Sequence, residues 1–227
     1  MEVGYRRKWL WMAITFSERT YVWFDGLNLD NSKAYFEAHR AEYREFVAEP
    51  LNALMGELAE RLGGSVKVFR PNRDIRFTTD KSPYRTHAAG HVRVGGGGGG
   101  HLYFQISPEG VFAATGVYEM TAVQLARYRA ALSTDSKADE IGLGLEKILE
   151  ELRSCGCEIE GERLKTLPRG IAKETPNADF LRYKSLYTSF RIDPAAAVDI
   201  SLTPLILDFW GKTEPLRNWL VLHAGSE

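Results

Sequence analysis

The sequence predicts an α+β fold: a single domain with a central, mostly antiparallel sheet flanked by helices from both ends of the chain. Three observations predict it. Apolar residues recur at helical spacing before residue 63 and again after residue 120. Between Val66 and Tyr118 the spacing falls to two, in runs rich in β-branched and aromatic residues. Those runs are joined by short turns, which argues against a parallel doubly wound sheet.

Taken in order, MEVGYRRKWLWMAITFS opens with basic residues and a short apolar patch. The patch is too short and too interrupted for a signal peptide or a bilayer span. Met12 offers a second start. Residues 1–15 are therefore expected to be a disordered or mis-assigned extension, and residues 16–227 the single domain. Phe16 to Leu29 reads as a short helix. Asp30, Asn31 and Ser32 are N-cap candidates for a helix running to Leu62. Tyr35, Phe36, His39, Tyr43, Phe46, Leu54 and Leu58 form its apolar face, and His39 reads as a core-edge histidine. Pro50 ends or kinks that helix, and Gly63-Gly64 stops it.

VKVFRP, DIRFTT, HVRV, LYFQIS and VFAATGVY read as strands. Pro108-Glu109-Gly110 is a hairpin turn. Gly95 to Gly100 precede a strand and have no lysine, unlike a phosphate-cradling loop, so they read as a mobile hairpin tip. Helices return at Thr121–Leu132 and Lys137–Leu152. CEIEGERLKTLPRGI reads as strand and loop. NADFLRYKSLYTSFRI begins as helix, with Asn177 as cap, and turns extended. Ile192-Asp193-Pro194 opens a last helix toward Leu222, with Pro204 starting its second half.

Composition is that of an ordinary globular protein, 44% hydrophobic and 26% charged. At this length a core forms without disulfides or metals. The net charge of -1 exerts no global pull on nucleic acid or membrane. Locally the balance differs. Arg61 to Arg93 holds eight basic residues against two acidic, a net of +6; Arg163 to Arg191 holds seven against two, a net of +5. The two segments either converge on one positive surface or pair with acidic elements. The two cysteines, Cys155 and Cys157, are too close in sequence for a good disulfide and have no histidine near them. A reducing, cytoplasmic setting fits best. No metal or cofactor is expected.

Chemistry concentrates in RDIRFTTDKSPYRTH, Arg73 to His87. Arginine offers a planar fork for carboxylate or phosphate. Arg73, Arg76, Lys81 and Arg85, with Arg182 and Lys184 from the second segment, are the candidate anion ligands. Tyr84 or His87 is the candidate proton donor or acceptor. Asp74 and Asp80 belong to the same constellation, as arginine partner and turn cap; two carboxylates are too few to argue for magnesium. Three readings follow. A basic cleft binds a phosphate- or carboxylate-bearing small molecule, with or without catalysis. Alternatively the basic and aromatic residues, among them Phe77, Tyr84, Tyr103, Phe104, Tyr183 and Tyr187, bind single-stranded nucleic acid or a protein. The third reading is a salt-bridged structural lock without ligand.

This motif, with NSKAYFEAHRAEYREFVAEP before it and LKTLPRGIAKETPNADFLRYKSL after it, resembles the conserved hypothetical proteins grouped as domain of unknown function 2461. The resemblance covers nearly the whole chain from Phe16 onward. It implies a single soluble α+β domain and brings no reaction, cofactor or catalytic residue.

Overall fold

The structure, a computed structural model, describes residues 14–95, 100–134, 136–171 and 174–225. A six-stranded sheet lies at its centre, in the order β1-β2-β3-β4-β6-β5, with every pair antiparallel. The strands are β1 Gly64–Val68, β2 Ala88–Val94, β3 His101–Ser107, β4 Gly110–Val117, β5 Glu158–Glu160 and β6 Leu186–Ile192. The α+β expectation is met, with helices from both ends of the chain packed on the sheet.

The β3–β4 hairpin turns through Pro108-Glu109, as its sequence dictates. Gly110 has φ 103°, and a Cβ there would lie 2.1 Å from the Ile192 carbonyl oxygen, so only glycine fits. Of the predicted tip of the β2–β3 hairpin, Gly95 to Gly100, residues 96–99 lie outside the described residues. So do residues 1–13, which make up most of the predicted extension; Ile14 already packs against the core.

Before the sheet run α1 Glu18–Leu29, α2 Lys33–Ala38, α3 Arg40–Tyr43, a π-helical turn Arg44–Ala48 and α4 Glu49–Leu62. The single long helix expected from Ser32 is thus segmented. Proline explains one break. Pro50 has no N–H to give the Phe46 carbonyl, and the buried Thr20 hydroxyl donates to that oxygen instead, at 2.7 Å. Ser32 caps α2 by accepting from Tyr35 N–H at 3.1 Å. Of the predicted apolar face, Phe36, Leu54 and Leu58 are buried, while Tyr35, Tyr43 and Phe46 are half-buried. Gly63, in the left-handed region, ends α4.

After β4 come α5 Ala122–Ser133 and α6 Ala138–Ser154. Beyond β6 come α7 Pro194–Ala197, α8 Leu202–Lys212 and α9 Glu214–Ala224. The single last helix expected from Pro194 is therefore three, and Pro204 sits in the first turn of α8 rather than starting a new element. One sheet face carries Val92, Leu102, Phe104, Ile106, Val111 and Ala113, each at most 2% exposed. Leu54, Leu58, Leu216 and Leu220, from α4 and α9, share that core.

DIRFTT is not a strand. Asp74 turns back on its own chain, accepting the Arg76 backbone N–H at 3.2 Å and the Arg76 guanidinium at 2.7 Å. Such local side-chain bonds compete with a strand ladder and win here. Asn177 also departs from expectation. It has φ 61° and caps no α-helix. Its amide instead donates to the carbonyls of Leu132 at 3.1 Å and Ala138 at 2.8 Å, tying the end of α5 to the start of α6. Gly142 makes room, since a Cβ there would lie 1.8 Å from Asn177 Oδ1.

Asn177→Ala should lower stability by about 2–3 kcal/mol in urea unfolding, from two lost hydrogen bonds and a left-handed backbone that alanine tolerates poorly. Gly142→Ala should act on the same tie, so the double variant should lose less than the sum of the two.

Candidate functional site

Most of the Arg73–His87 motif is a closed loop pinned at its neck. Asn72 and Tyr84 form an antiparallel bridge; Arg73 N–H donates to the Pro83 carbonyl at 2.9 Å, and Arg85 N–H to that of Pro71 at 2.8 Å. Asn31, between α1 and α2, clamps the neck from outside. Its Oδ1 accepts from Tyr84 N–H at 3.1 Å and its Nδ2 donates to the Tyr84 carbonyl at 3.0 Å. The Tyr84 ring is buried and stacks on Phe36 with centroids 4.0 Å apart.

Inside the loop the charges pair. Arg73 binds Asp80 and also donates to the Ser82 carbonyl at 3.3 Å. Asp80 Oδ1 accepts from Ser82 N–H at 2.9 Å and from the Ser82 hydroxyl at 2.7 Å. These Ser82 bonds first, and Arg73 after them, hold the Asp80 carboxyl well below the usual range. Arg76 pairs with Asp74, and Lys81 Nζ donates to the Ile75 carbonyl at 2.9 Å.

A concavity of about 480 Å³ opens beside the neck, lined in part by Arg73, Asp80, Tyr84, Arg85 and His87. Arg76 and Lys81 do not line it. Nor do Arg182 and Lys184, which pair elsewhere, Arg182 with Asp179 at 3.8 Å and Lys184 with Glu162. Arg85 is the exception among the motif's arginines. Among the described residues it forms no ion pair, and it lines a second, larger concavity as well.

That second concavity, of about 830 Å³, lies on the sheet face opposite the main core. Strand alternation places Phe69, His91, Tyr103, Gln105, Phe112 and Tyr187 there, all partly exposed. Sequence reasoning named Tyr103 and Tyr187 as stacking candidates but did not bring them into one site, because the aromatic residues of a strand are most often core. A signal was present: LYFQIS and VFAATG put Tyr103 and Gln105 on one track, and Phe112, Ala114 and Gly116 on the facing one. Burial raises the Tyr103 pKa, and Arg85, which lines the same concavity, partly opposes the rise. Burial lowers the His91 pKa, with His101, Lys67 and Arg93 adding to it. His87 is likewise lowered, by burial first and Arg85 second, with Glu109 opposing.

The loop neck and its clamp involve Asn31, Phe36, Arg73 and Tyr84, all within residues 19–219, which match the family described as conserved hypothetical protein, DUF2461. The chain belongs to that family. No curated protein matches it. In this DUF2461 member no helix among the described residues is long and apolar enough to cross a membrane. Also among the described residues, no group of three or more His, Cys, Asp or Glu is placed to hold a metal ion.

The histidines give a pH dependence. Both His87 and His91 bind a proton less readily in the fold than in the unfolded chain. Stability is therefore complete above the ordinary histidine value of 6.5 and falls as pH drops below it. Melting temperature should decline between about pH 7.5 and about pH 5.5, before carboxylates begin to protonate. The His87→Gln, His91→Gln double variant should flatten that decline. In Arg85→Ala the His87 pKa, followed by NMR, should move up.

Proposed function

We propose that this protein binds a phosphate- or carboxylate-bearing small molecule in a cleft centred on Arg85. The observation that carries the reading is the state of that one side chain. The other motif arginines are engaged: Arg73 with Asp80, and Arg76 with Asp74. Arg85 is exposed, forms no ion pair among the described residues, and stands at both concavities. A guanidinium held in this way by a pinned backbone is pre-organised for a bidentate anion. His87 supplies a neighbouring group able to donate or accept a proton. The free thiols of Cys155 and Cys157 suit the reducing cytoplasm.

The structural-lock reading keeps a place beside this one. The pairs within residues 73–82 favour it for that part of the motif. The two readings then divide the segment: Arg73, Asp74, Arg76, Asp80, Lys81 and the buried Tyr84 hold the loop, and Arg85 and His87 face a ligand.

Titration with inorganic phosphate, sulfate and acetate should raise the melting temperature in a concentration-dependent way. Arg85→Ala should abolish that rise, lowering affinity by about 10–100-fold. Its own stability should stay within about 0.5 kcal/mol of the parent, as for an unpaired surface side chain. Arg76→Ala should retain the response. A parent protein indifferent to all three anions, or an Arg85→Ala variant that unfolds, would overturn the proposal.

A further inference from the structure

The larger concavity has a shape that the anion reading does not use. β4 lies between β3 and β6, and its track on the open sheet face runs Phe112, Ala114, Gly116, so that beyond the Phe112 ring it is made of small residues. Ala114 faces Tyr103 on one side and Ser189 on the other; Gly116 faces Tyr187. Gly116 has φ 131°, and a Cβ there would lie 2.6 Å from Tyr187 Cα, so the track cannot be filled from that position. Strands two apart in a sheet are separated by about 10 Å. A trough therefore opens over Ala114 and Gly116, with Tyr103 on its β3 side at the level of Ala114 and Tyr187 on its β6 side one two-residue step further, at the level of Gly116.

The walls are themselves braced. On the β3 side Tyr103 contacts Phe69 at 6.5 Å and Phe112 at 6.0 Å between centroids. On the β6 side Tyr187 contacts Tyr118 at 5.7 Å. Among the described residues no ring contact joins Tyr103 to Tyr187 across the trough. A flat ring touching both walls needs about 7–8 Å between them, two van der Waals contacts of about 3.5–4 Å. Tyr103 and Tyr187 stand on strands about 10 Å apart and are offset by about 7 Å along them, so a ring lying over Ala114 and Gly116 meets them at diagonal edges. Polar groups stand along the same concavity. Tyr103 Oη donates to Gln105 Oε1 at 2.8 Å, which leaves the amide Nε2 of Gln105 to donate to an occupant. Arg85 supplies a cation, against one carboxylate, Glu119.

We infer that the occupant is a small molecule with one flat aromatic ring bearing a carboxylate or phosphate, the ring seated over Ala114 and Gly116 between Tyr103 and Tyr187 and the anion held by Arg85. This rests on the anion-binding reading for its charged half and on the trough for its ring. A flat ring with an anionic edge uses both features at once, whereas an inorganic anion leaves the trough empty and an aliphatic acid gains no stacking.

The test compares phenyl phosphate, inorganic phosphate and phenol by isothermal titration, on the parent protein, Arg85→Ala and Ala114→Leu. Phenyl phosphate should bind the parent at least about tenfold more tightly than inorganic phosphate, the gain expected of one stacked ring. Ala114→Leu should erase that gain and leave inorganic phosphate binding as it was. Arg85→Ala should weaken both phosphates. If Ala114→Leu melts early, Tyr187→Ala, which opens one wall, carries the same comparison. Arg85-dependent phosphate binding with no advantage for the phenyl ester would overturn the ring inference and spare the anion reading. Phenol bound as tightly as phenyl phosphate, and equally by Arg85→Ala, would overturn the anion reading and leave the trough. A trough that takes none of the three, but whose Ala114→Leu change abolishes oligonucleotide binding or self-association, would overturn both.

Discussion

Alternation along β3 constrains everything built around it. Leu102, Phe104 and Ile106 are fully buried, and His101, Tyr103 and Gln105 point the other way, half-exposed. A slip of one residue would exchange the two sets and bury an imidazole, a phenol and an amide in an apolar layer. The register of β2 and β4 against β3 is thereby fixed, and β6 takes its register from β4 in turn. The helices have one apolar face to cover, and α4 and α9 cover it. The partly exposed face thus follows from how the core is satisfied. It receives the residues that alternation leaves over, and those residues are aromatic and small rather than uniformly charged.

The loop carrying Arg85 depends on that layer through Tyr84. The Tyr84 ring stacks on Phe36 of α2, and its backbone is held on both polar atoms by Asn31. Adjacent residues of an extended segment point to opposite sides. Burying Tyr84 therefore turns Arg85 outward, toward the two concavities. The ion pairs of the loop are exposed and individually weak. Their effect is geometric. Asp80 closes the turn on Ser82 and Arg73, and the neck beyond it keeps one backbone path.

Much of this was legible in the residues. The change of period near Gly63, and its return near Thr121, mark the limits of the sheet because burial imposes period two on strands and 3.6 on helices. Pro108-Glu109 forms the expected tight turn, and Thr121, where a helix is expected to begin, is its N-cap, in a capping box with Gln124. DIRFTT looked like a strand because Ile75 and Phe77 suit one. Phe77 is instead 92% exposed, and among the described residues no strand pairs with the segment. Propensity is a weak guide where an aspartate can bond its own backbone. The trough could not be read locally at all. It needs Tyr187 beside Gly116, a pairing between residues far apart in the chain that exists only once β6 is known to neighbour β4.

The two basic segments show why net charge over a stretch is a poor measure of a site. In the second segment Arg163 and Arg182 both approach Asp179, Lys184 meets Glu162, and Arg191 lies between Glu158 and Glu160, while Lys165 and Arg169 form no ion pair among the described residues. Such pairs add little stability, but each cancels the field of its own cation within a Debye length of about 10 Å. A polyanion is attracted by an extended unpaired positive surface, and its binding weakens steeply with salt as many counterions are released. One unpaired guanidinium beside an aromatic trough is a different device. It neutralises a single charge, so its binding should depend on salt with a slope near one phosphate contact rather than many. A salt slope near one would therefore support the small-anion proposal, and a steep one the nucleic-acid reading, whatever the arginine count.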